Sequence, residues 1–164
     1  MKVINLGQTD SILNKFVAQL RDTKVQKDSM RFRRNLERIG EIFGYEISKG
    51  LNYSPKEFTT PLGIATIPTY DDKVVVATVL RAGLPLRQGI LNYFDDAQNA
   101  FVAAYRKYDK GEDFHINIEY ITTPDLTGKV LILADTMLAT GASLEIAYKK
   151  LCEQGEPAHT HLVC

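Results

Sequence analysis

The chain has 164 residues, of which 45% are hydrophobic and 24% charged, with 20 Lys and Arg against 20 Asp and Glu. This length and composition are those of one globular domain, and they exclude a disordered or fibrous chain. The formal net charge of zero argues against a general nucleic-acid binder, and two cysteines are too few for a disulfide framework.

The first fifty residues predict two helices. After Ser11, apolar residues recur at helical spacing as far as Leu20. A longer helix follows the capping residues Asp28 and Ser29 and ends before Gly50, with these apolar positions: Phe32, Leu36, Ile39, Phe43 and Ile47. Its first half carries four arginines, which we interpret as a solvated helix face: Arg31, Arg33, Arg34 and Arg38.

The middle of the chain predicts a loop region, a strand and a helix. Residues 53–70 are rich in Thr and Pro, which favours connecting loops with short extended pieces. The β-branched run 74–80 is typical of a strand buried on both faces. Pro85 fits the first turn of a helix predicted over 86–93, because its fixed φ is already helical.

The remainder predicts a hairpin followed by a strand, a helix and a strand. Residues 100–108 and 115–121 flank a charged tip at 109–112, so we expect a β-hairpin flap that acts as a lid. A buried strand over 130–134 precedes a helix that begins at Ser143, and a last strand begins at Leu162. The order of the last three elements predicts an α/β fold with a central parallel sheet flanked by helices.

The stretch between the strand at 130–134 and the next helix carries the clearest chemistry. Asp135 follows the strand directly, and residues 139–143 have small side chains, so backbone N–H groups at a helix N-terminus can surround a phosphate. No lysine follows Gly141, which excludes the P-loop pattern, and the dinucleotide-binding glycine pattern is absent as well. Asp135 lies within reach of the hydroxyls of a ribose whose 5′-phosphate occupies the loop. An ordinary loop with a capping aspartate is the alternative.

Several motifs in this order resemble the type I phosphoribosyltransferases. The run 135–143 resembles their motif for phosphoribosyl diphosphate (PRPP), and it is most similar to the version in uracil phosphoribosyltransferases. Residues 78–84 resemble the pyrophosphate loop of that subfamily, 104–107 its second arginine segment, and 31–46 its N-terminal helix. The resemblance implies a type I phosphoribosyltransferase fold with N-terminal helices and a β-hairpin flap.

The resemblance assigns roles to individual residues. It implies that Arg81, Arg106 and Asp135 are catalytic, with both arginines on the diphosphate of PRPP and Asp135 on its ribose. The other PRPP-binding residues that it implies are Ala82, Gly83, Thr136, Met137, Leu138, Ala139, Thr140, Gly141, Ala142 and Ser143. Two of these depart from the subfamily pattern, Thr136 where proline is usual and Ala142 where glycine is usual. The methyl group of Ala142 strains the loop only if its φ is positive.

The resemblance also implies an activity. It is transfer of the 5-phosphoribosyl group from PRPP to uracil, giving UMP and pyrophosphate in pyrimidine salvage, with Mg²⁺ carried by PRPP rather than by protein ligands. We expect a non-proline cis peptide near residues 80–82, because pyrophosphate loops of this fold often contain one. Two alternatives stay open: a pyrimidine-responsive RNA-binding regulator on the same fold, and a phosphoribosyltransferase for another nucleobase.

Further expectations concern partners, location and extent. The resemblance implies a homodimer or higher homo-oligomer and, in some members, activation by GTP. We expect no membrane or nucleic-acid partner, no metal site at His159 and His161, and a cytoplasmic location, because neither a signal peptide nor a membrane-spanning run is visible. We expect one phosphoribosyltransferase domain over 1–164, with a helical arm at 1–50 and a PRPP-binding core at 73–164. The resemblance implies that this domain lacks the C-terminal segment that reads uracil. The chain would then stop in a strand that is central to the sheet of the family.

Overall fold

The computed structural model describes the backbone of residues 2–108 and 114–164, and the side chains of residues 2–104 and 118–164. The expected charged tip of the flap lies outside the described residues. Within them the chain forms four α-helices: α1 (Ile12–Arg21), α2 (Ser29–Ser48), α3 (Leu84–Leu91) and α4 (Ala142–Cys152). The two N-terminal helices are confirmed, and the side chains of Ser11 and Asp28 cap them by accepting hydrogen bonds from the N–H groups of Leu13 and Arg31. Helix α3 begins two residues earlier than predicted, so Pro85 lies in its first turn.

The described chain also contains seven strands. They are β1 (Tyr53–Thr60), β2 (Gly63–Tyr70), β3 (Val74–Leu80), β4 (Gln98–Tyr108), β5 (Phe114–Thr122), β6 (Val130–Ala134) and β7 (His159–Val163). The predicted strands β3 and β6 are confirmed, as is the antiparallel pairing of β4 with β5.

Strands β1 and β2 correct the prediction of loops over residues 53–70. They form an antiparallel ribbon in which Tyr53 pairs with Tyr70 and Pro55 with Pro68. The two prolines favoured loops in the sequence, but a ribbon of two strands has two free edges, and a proline fits where a residue's N–H would point outward. At the base of the ribbon, the Tyr70 ring packs edge to face on buried Phe94, with ring centroids 5.7 Å apart.

The other five strands form one sheet in the order β5-β4-β3-β6-β7. Strands β4, β3, β6 and β7 are parallel to one another, and β5 is antiparallel to β4. The predicted strand-helix-strand unit is confirmed as β6-α4-β7. Strand β7 begins at His159 instead of Leu162 and is the last strand of the sheet on the β6 side among the described residues.

The sheet separates two hydrophobic layers. Val76 and Ile132 belong to the layer that contains residues of α2 and α3, whereas Leu131 and Leu133 belong to the layer that contains residues of α4. Helices therefore cover both faces, which explains why β3 and β6 read as continuous apolar runs. None of the described helices is both long and apolar enough to cross a membrane.

Helices α2 and α3 touch backbone to backbone. A Cβ atom built on Gly89 of α3 would overlap the carbonyl oxygen of Glu37, and one on Gly40 of α2 would overlap that of Leu86. Both positions therefore require glycine for close approach, not for an unusual φ. This contact holds α3, and with it the loop that precedes α3, against α2.

We expect Gly89→Ala to lower the free energy of unfolding by about 3 kcal/mol, because a methyl group there can be accommodated only by moving two helix backbones apart. Gly44→Ala is the matched control in the same interface, since its Cβ would meet its nearest neighbours at an ordinary 3.6 Å. That control should stay within about 1 kcal/mol of wild type. Denaturant unfolding measures both variants, and equal stability of the two would refute the close-packing argument.

Candidate active site

The candidate site lies where two neighbouring parallel strands end. Strands β3 and β6 pair side by side, with Thr78 opposite Ala134 at the last paired position. The loop that contains Arg81 follows β3, and Asp135 follows β6. In open α/β sheets ligands bind at the carboxyl ends of the strands. The topology thus brings together two segments that are separated by more than fifty residues of chain.

The loop after β3 presents a cationic side chain beside small residues. The Leu80–Arg81 peptide bond is cis, which confirms the predicted non-proline cis peptide. Arg81 and Ala82 are exposed, whereas Gly83 is buried. A groove of about 670 Å³ opens here, lined by Leu80, Arg81, Ala82, Ala103, Ala104 and Glu119. Three alanines among the lining residues leave room beside the Arg81 guanidinium group, which suits an anion, and Glu119 adds one carboxylate.

Asp135 directly follows β6, and both its backbone and its side chain are hydrogen-bonded. Its N–H donates to the carbonyl oxygen of Val163 at 3.0 Å, and its carboxylate accepts a 2.7 Å hydrogen bond from the N–H of Thr136. Burial raises the pKa of the Asp135 carboxyl above its ordinary value, and the hydrogen bond from Thr136 offsets part of that rise. The site therefore contains a partly desolvated carboxylate that can accept further hydrogen bonds.

The loop after Asp135 ends at the N-terminus of α4, where the side-chain contact found among the described residues is a long one from Thr140. Gly141 is the N-cap of α4, with a φ of +79°, and brings no capping side chain to the first turn. Backbone N–H groups there are available to an anion, and the helix dipole favours negative charge. Ala142 is already helical, and no described non-glycine residue has a positive φ. The extra methyl group of Ala142 is therefore accommodated without strain.

The other predicted residues of this loop are open to solvent or half-buried. Met137 and Leu138 are 75% and 61% exposed. The hydroxyl of Thr140 accepts a long hydrogen bond of 3.4 Å from the N–H of Ala142. Arg106 lies in β4, where its backbone pairs with Ile116, and its side chain is outside the described residues. The placement of its guanidinium group beside Arg81 stays a prediction.

Glu119 is a site residue that the sequence reasoning missed. In the β4–β5 register Ala103 pairs with Tyr120 and Ala104 with Ile118, which leaves Glu119 as the extra residue of a bulge. The bulge lets the carboxylate line the groove beside Arg81. The available signal was a break in alternation, because Ile116 and Ile118 are two residues apart whereas the next isoleucine is Ile121.

The two histidines of β7 lie beside each other. The rings of His159 and His161 contact edge to face with centroids 4.6 Å apart. Burial, with a smaller contribution from His159, lowers the pKa of His161. Among the side chains that the structure describes, those of residues 2–104 and 118–164, no three from His, Cys, Asp or Glu gather as a metal cluster would require. Neither histidine is among the residues that line the groove.

The raised pKa of Asp135 predicts a pH-dependent stability. Its ordinary value is 3.8, and the higher pKa in the folded chain means that ionisation of this group costs folding stability. We expect Asp135→Asn to be more stable than wild type near pH 7, by less than about 1 kcal/mol because solvent screens a half-exposed group. The gain should shrink as the pH falls through the raised pKa and vanish below 3.8, where the carboxyl is protonated in both states.

Denaturant unfolding across this pH range provides the measurement. Asp125→Asn is the control of opposite sign, because hydrogen bonds from Thr127 lower the pKa of Asp125 and its charge therefore stabilises the fold. A loss of stability near pH 7 in Asp135→Asn, similar to that in Asp125→Asn, would show that Asp135 is not destabilised by burial.

Comparison with known proteins tests the family. A family model for uracil phosphoribosyltransferase matches residues 8–164. A uracil phosphoribosyltransferase of Porphyromonas gingivalis is 56% identical over 162 residues, which covers 99% of this chain and 75% of that protein. One from Methanothermobacter thermautotrophicus is 36% identical over 135 residues, which covers 81% of this chain and 62% of that protein.

Solved structures agree on the fold. The AQ2163 protein from Aquifex aeolicus superposes with a TM-score of 0.80 at 26% identity, covering 94% of this chain and 72% of that one. A hypoxanthine phosphoribosyltransferase from Staphylococcus aureus superposes with a TM-score of 0.56 at 12% identity, covering 80% and 62%, and shows the fold alone. The predicted type I phosphoribosyltransferase fold is confirmed, and by its sequence the chain belongs to the uracil phosphoribosyltransferase family.

Proposed function

We propose that the protein transfers the 5-phosphoribosyl group of PRPP to uracil, forming UMP and pyrophosphate in pyrimidine salvage. One observation carries the proposal: in a chain of this family, the loop with Arg81 and the loop with Asp135 follow adjacent parallel strands. PRPP has a diphosphate, a ribose and a 5′-phosphate. The two loops offer groups that complement these: a guanidinium group, a carboxylate and a helix N-terminus that begins at a glycine N-cap.

Each group of PRPP has a matching partner in this arrangement. The 5′-phosphate binds the N–H groups at the start of α4, with hydroxyl donors from Thr140 and Ser143. The ribose hydroxyls donate to the carboxylate of Asp135, and the diphosphate accepts hydrogen bonds from Arg81 and the amides of Ala82 and Gly83. These contacts orient the anomeric carbon toward the base, which lowers the entropic part of the barrier.

The transfer is a substitution at the anomeric carbon. A bond forms between that carbon and N1 of uracil, while the bond from the carbon to the pyrophosphate oxygen breaks and its electron pair leaves with pyrophosphate. The proton of the attacking ring nitrogen is released, and no protein nucleophile takes part. Positive charge develops on the ribose in an oxocarbenium-like transition state, and negative charge grows on the leaving group.

The charge on the leaving pyrophosphate needs stabilisation. Arg81, and by the resemblance Arg106, supply fixed positive charge there. Mg²⁺ bound to the diphosphate supplies further neutralisation. We propose that PRPP carries the ion. Among the residues that line the groove, Glu119 supplies the carboxylate. A single protein carboxylate suits a metal ion whose other ligands arrive with it, as they do for an ion carried by PRPP. The β4–β5 flap closes over PRPP and excludes water in this proposal.

Oligomer formation is a further part of the proposal. The β1–β2 ribbon exposes apolar side chains that a monomer would leave in water: Phe58, Leu62, Ile64 and Ile67. We propose a homodimer or higher homo-oligomer in which this ribbon is covered. A cytoplasmic location fits two free cysteines, and activation by GTP rests on the resemblance alone.

A base panel tests the proposed activity. With PRPP and Mg²⁺, we expect UMP and pyrophosphate from uracil and no turnover of guanine or orotate.

A substitution tests the role of Arg81 in the same assay. Arg81→Lys should lower kcat/KM for PRPP by about ten- to a hundredfold, because lysine keeps the charge but loses the planar fork of donors. Arg21→Lys, at the exposed end of α1, is the control and should match wild type. Turnover of another base alone would overturn uracil as substrate, and specific RNA binding without turnover would favour the regulator.

Sedimentation tests the oligomer. We expect wild type to sediment as a dimer or larger species, and the double variant Leu62→Ser, Ile64→Ser to shift toward the monomer because two exposed apolar side chains are lost from the ribbon. Lys2→Ser, Lys15→Ser, with two exposed changes outside the ribbon, should leave the mass unchanged. A monomeric wild type would contradict the oligomer, and an unshifted Leu62, Ile64 variant would contradict the role of the ribbon.

A further inference from the structure

A buried hydroxyl group connects the two loops of the site. Thr78 has no solvent exposure, and among the described residues it and Asn35 are the buried polar residues. Its hydroxyl donates to the carbonyl oxygen of Ala134 at 3.1 Å. Ala134 is the last residue of β6 and directly precedes Asp135. The hydrogen bond therefore connects the end of β3 with the residue that directly precedes Asp135.

The same hydroxyl lies beneath the loop that contains Arg81. A Cβ atom on Gly83 would overlap the Thr78 hydroxyl and would approach the carbonyl oxygens of Ala134 and Val79 to 3.0 Å. The N–H of Gly83 also donates to the carbonyl oxygen of Val79 at 3.3 Å. The loop thus folds back onto Thr78, and it can do so because Gly83 has no side chain.

We infer that Thr78 is a positioning residue that holds the Arg81 loop and the Asp135 strand end in the relative placement that PRPP requires. The inference rests on the proposed function, in which the diphosphate and the ribose of one PRPP molecule bind both segments at once. Thr78 touches no substrate and acts through Gly83 and Ala134. Because a buried hydroxyl without its acceptor is unfavourable, the hydrogen bond favours one arrangement of the two segments over others.

Substitutions at this position separate the hydroxyl from the volume that it fills. Thr78→Val keeps the shape and removes the hydroxyl, Thr78→Ser keeps the hydroxyl and removes a methyl group, and Thr78→Ala removes both. We expect Val and Ala to raise KM for PRPP about tenfold, the usual effect of one lost buried hydrogen bond. KM for uracil should stay within about twofold, and Ser should restore KM for PRPP to within about threefold of wild type.

Thr69→Val is the matched control. The Thr69 hydroxyl on β2 is also buried, but it has no hydrogen-bond partner in the described part of the chain, and β2 belongs to the separate ribbon. Its KM for PRPP should equal that of wild type. Isothermal titration of PRPP without uracil supplies a second readout, in which Val and Ala should bind about tenfold more weakly than wild type and Ser should not.

The outcomes separate the inference from the function on which it rests. If wild type neither binds PRPP nor converts it with uracil, the proposed function fails. If wild type is active and Thr78→Val keeps the wild-type KM for PRPP, the positioning role is wrong. It is also wrong if Ser and Val raise KM equally, because the volume of the side chain then matters and the hydroxyl does not. If Val does not fold, the comparison of Ser with Ala decides in the same way.

Discussion

Strands β3 and β6 pair in parallel from Val74 opposite Val130 to Thr78 opposite Ala134, and the candidate site depends on that register. A shift by one residue would move Asp135 by about 3.3 Å relative to Arg81 and would turn every side chain of the strand to the opposite face. Val75 and Leu131 have no solvent exposure, and burial of each contributes about 1.5–3 kcal/mol. The hydrophobic core therefore sets the register, and the register sets the distance between the two loops.

The N-terminal helices reach the site through backbone contact. Gly40 and Gly89 let α2 and α3 approach until their backbones touch, so α3 has little freedom to shift along α2. The loop that contains Arg81 leads directly into α3, whose first residue is Leu84. A helix arm that contributes no residue to the groove lining thus limits the movement of the loop that does. The close packing of α2 on α3 therefore links the N-terminal part of the chain to the loop that contains Arg81.

The parts of the fold with a clear periodicity could be predicted from the sequence. The apolar runs of β3 and β6 predict buried strands, and the apolar spacing of α2 predicts a helix. The residues between Asp135 and Ser143 match a motif that is specific to one family. The β1–β2 ribbon was missed because Pro55 and Pro68 are unfavourable in a general strand, and only their pairing at the edges of a ribbon makes them acceptable. Glu119 was missed although the spacing of the isoleucines in β5 carries a weak signal of its bulge. The role of Thr78 comes from a contact between strand ends, which no local pattern encodes.

The acidic residues of the candidate site affect which ligand it would favour. Glu119 lines the groove, whereas Asp135 lies directly after β6 and is not among the lining residues. Burial raises the pKa of Asp135, so the free site holds a carboxylate that lacks some of the hydrogen bonds water would give it. Ribose hydroxyls supply such donors in the proposed complex. Ligand binding would therefore offset the desolvation of the Asp135 carboxylate. It would do so only for a ligand whose hydroxyl groups reach that carboxylate. In the proposed complex inorganic diphosphate would contact Arg81 but neither Asp135 nor the start of α4, so a preference for PRPP over pyrophosphate would come from the ribose and 5′-phosphate contacts.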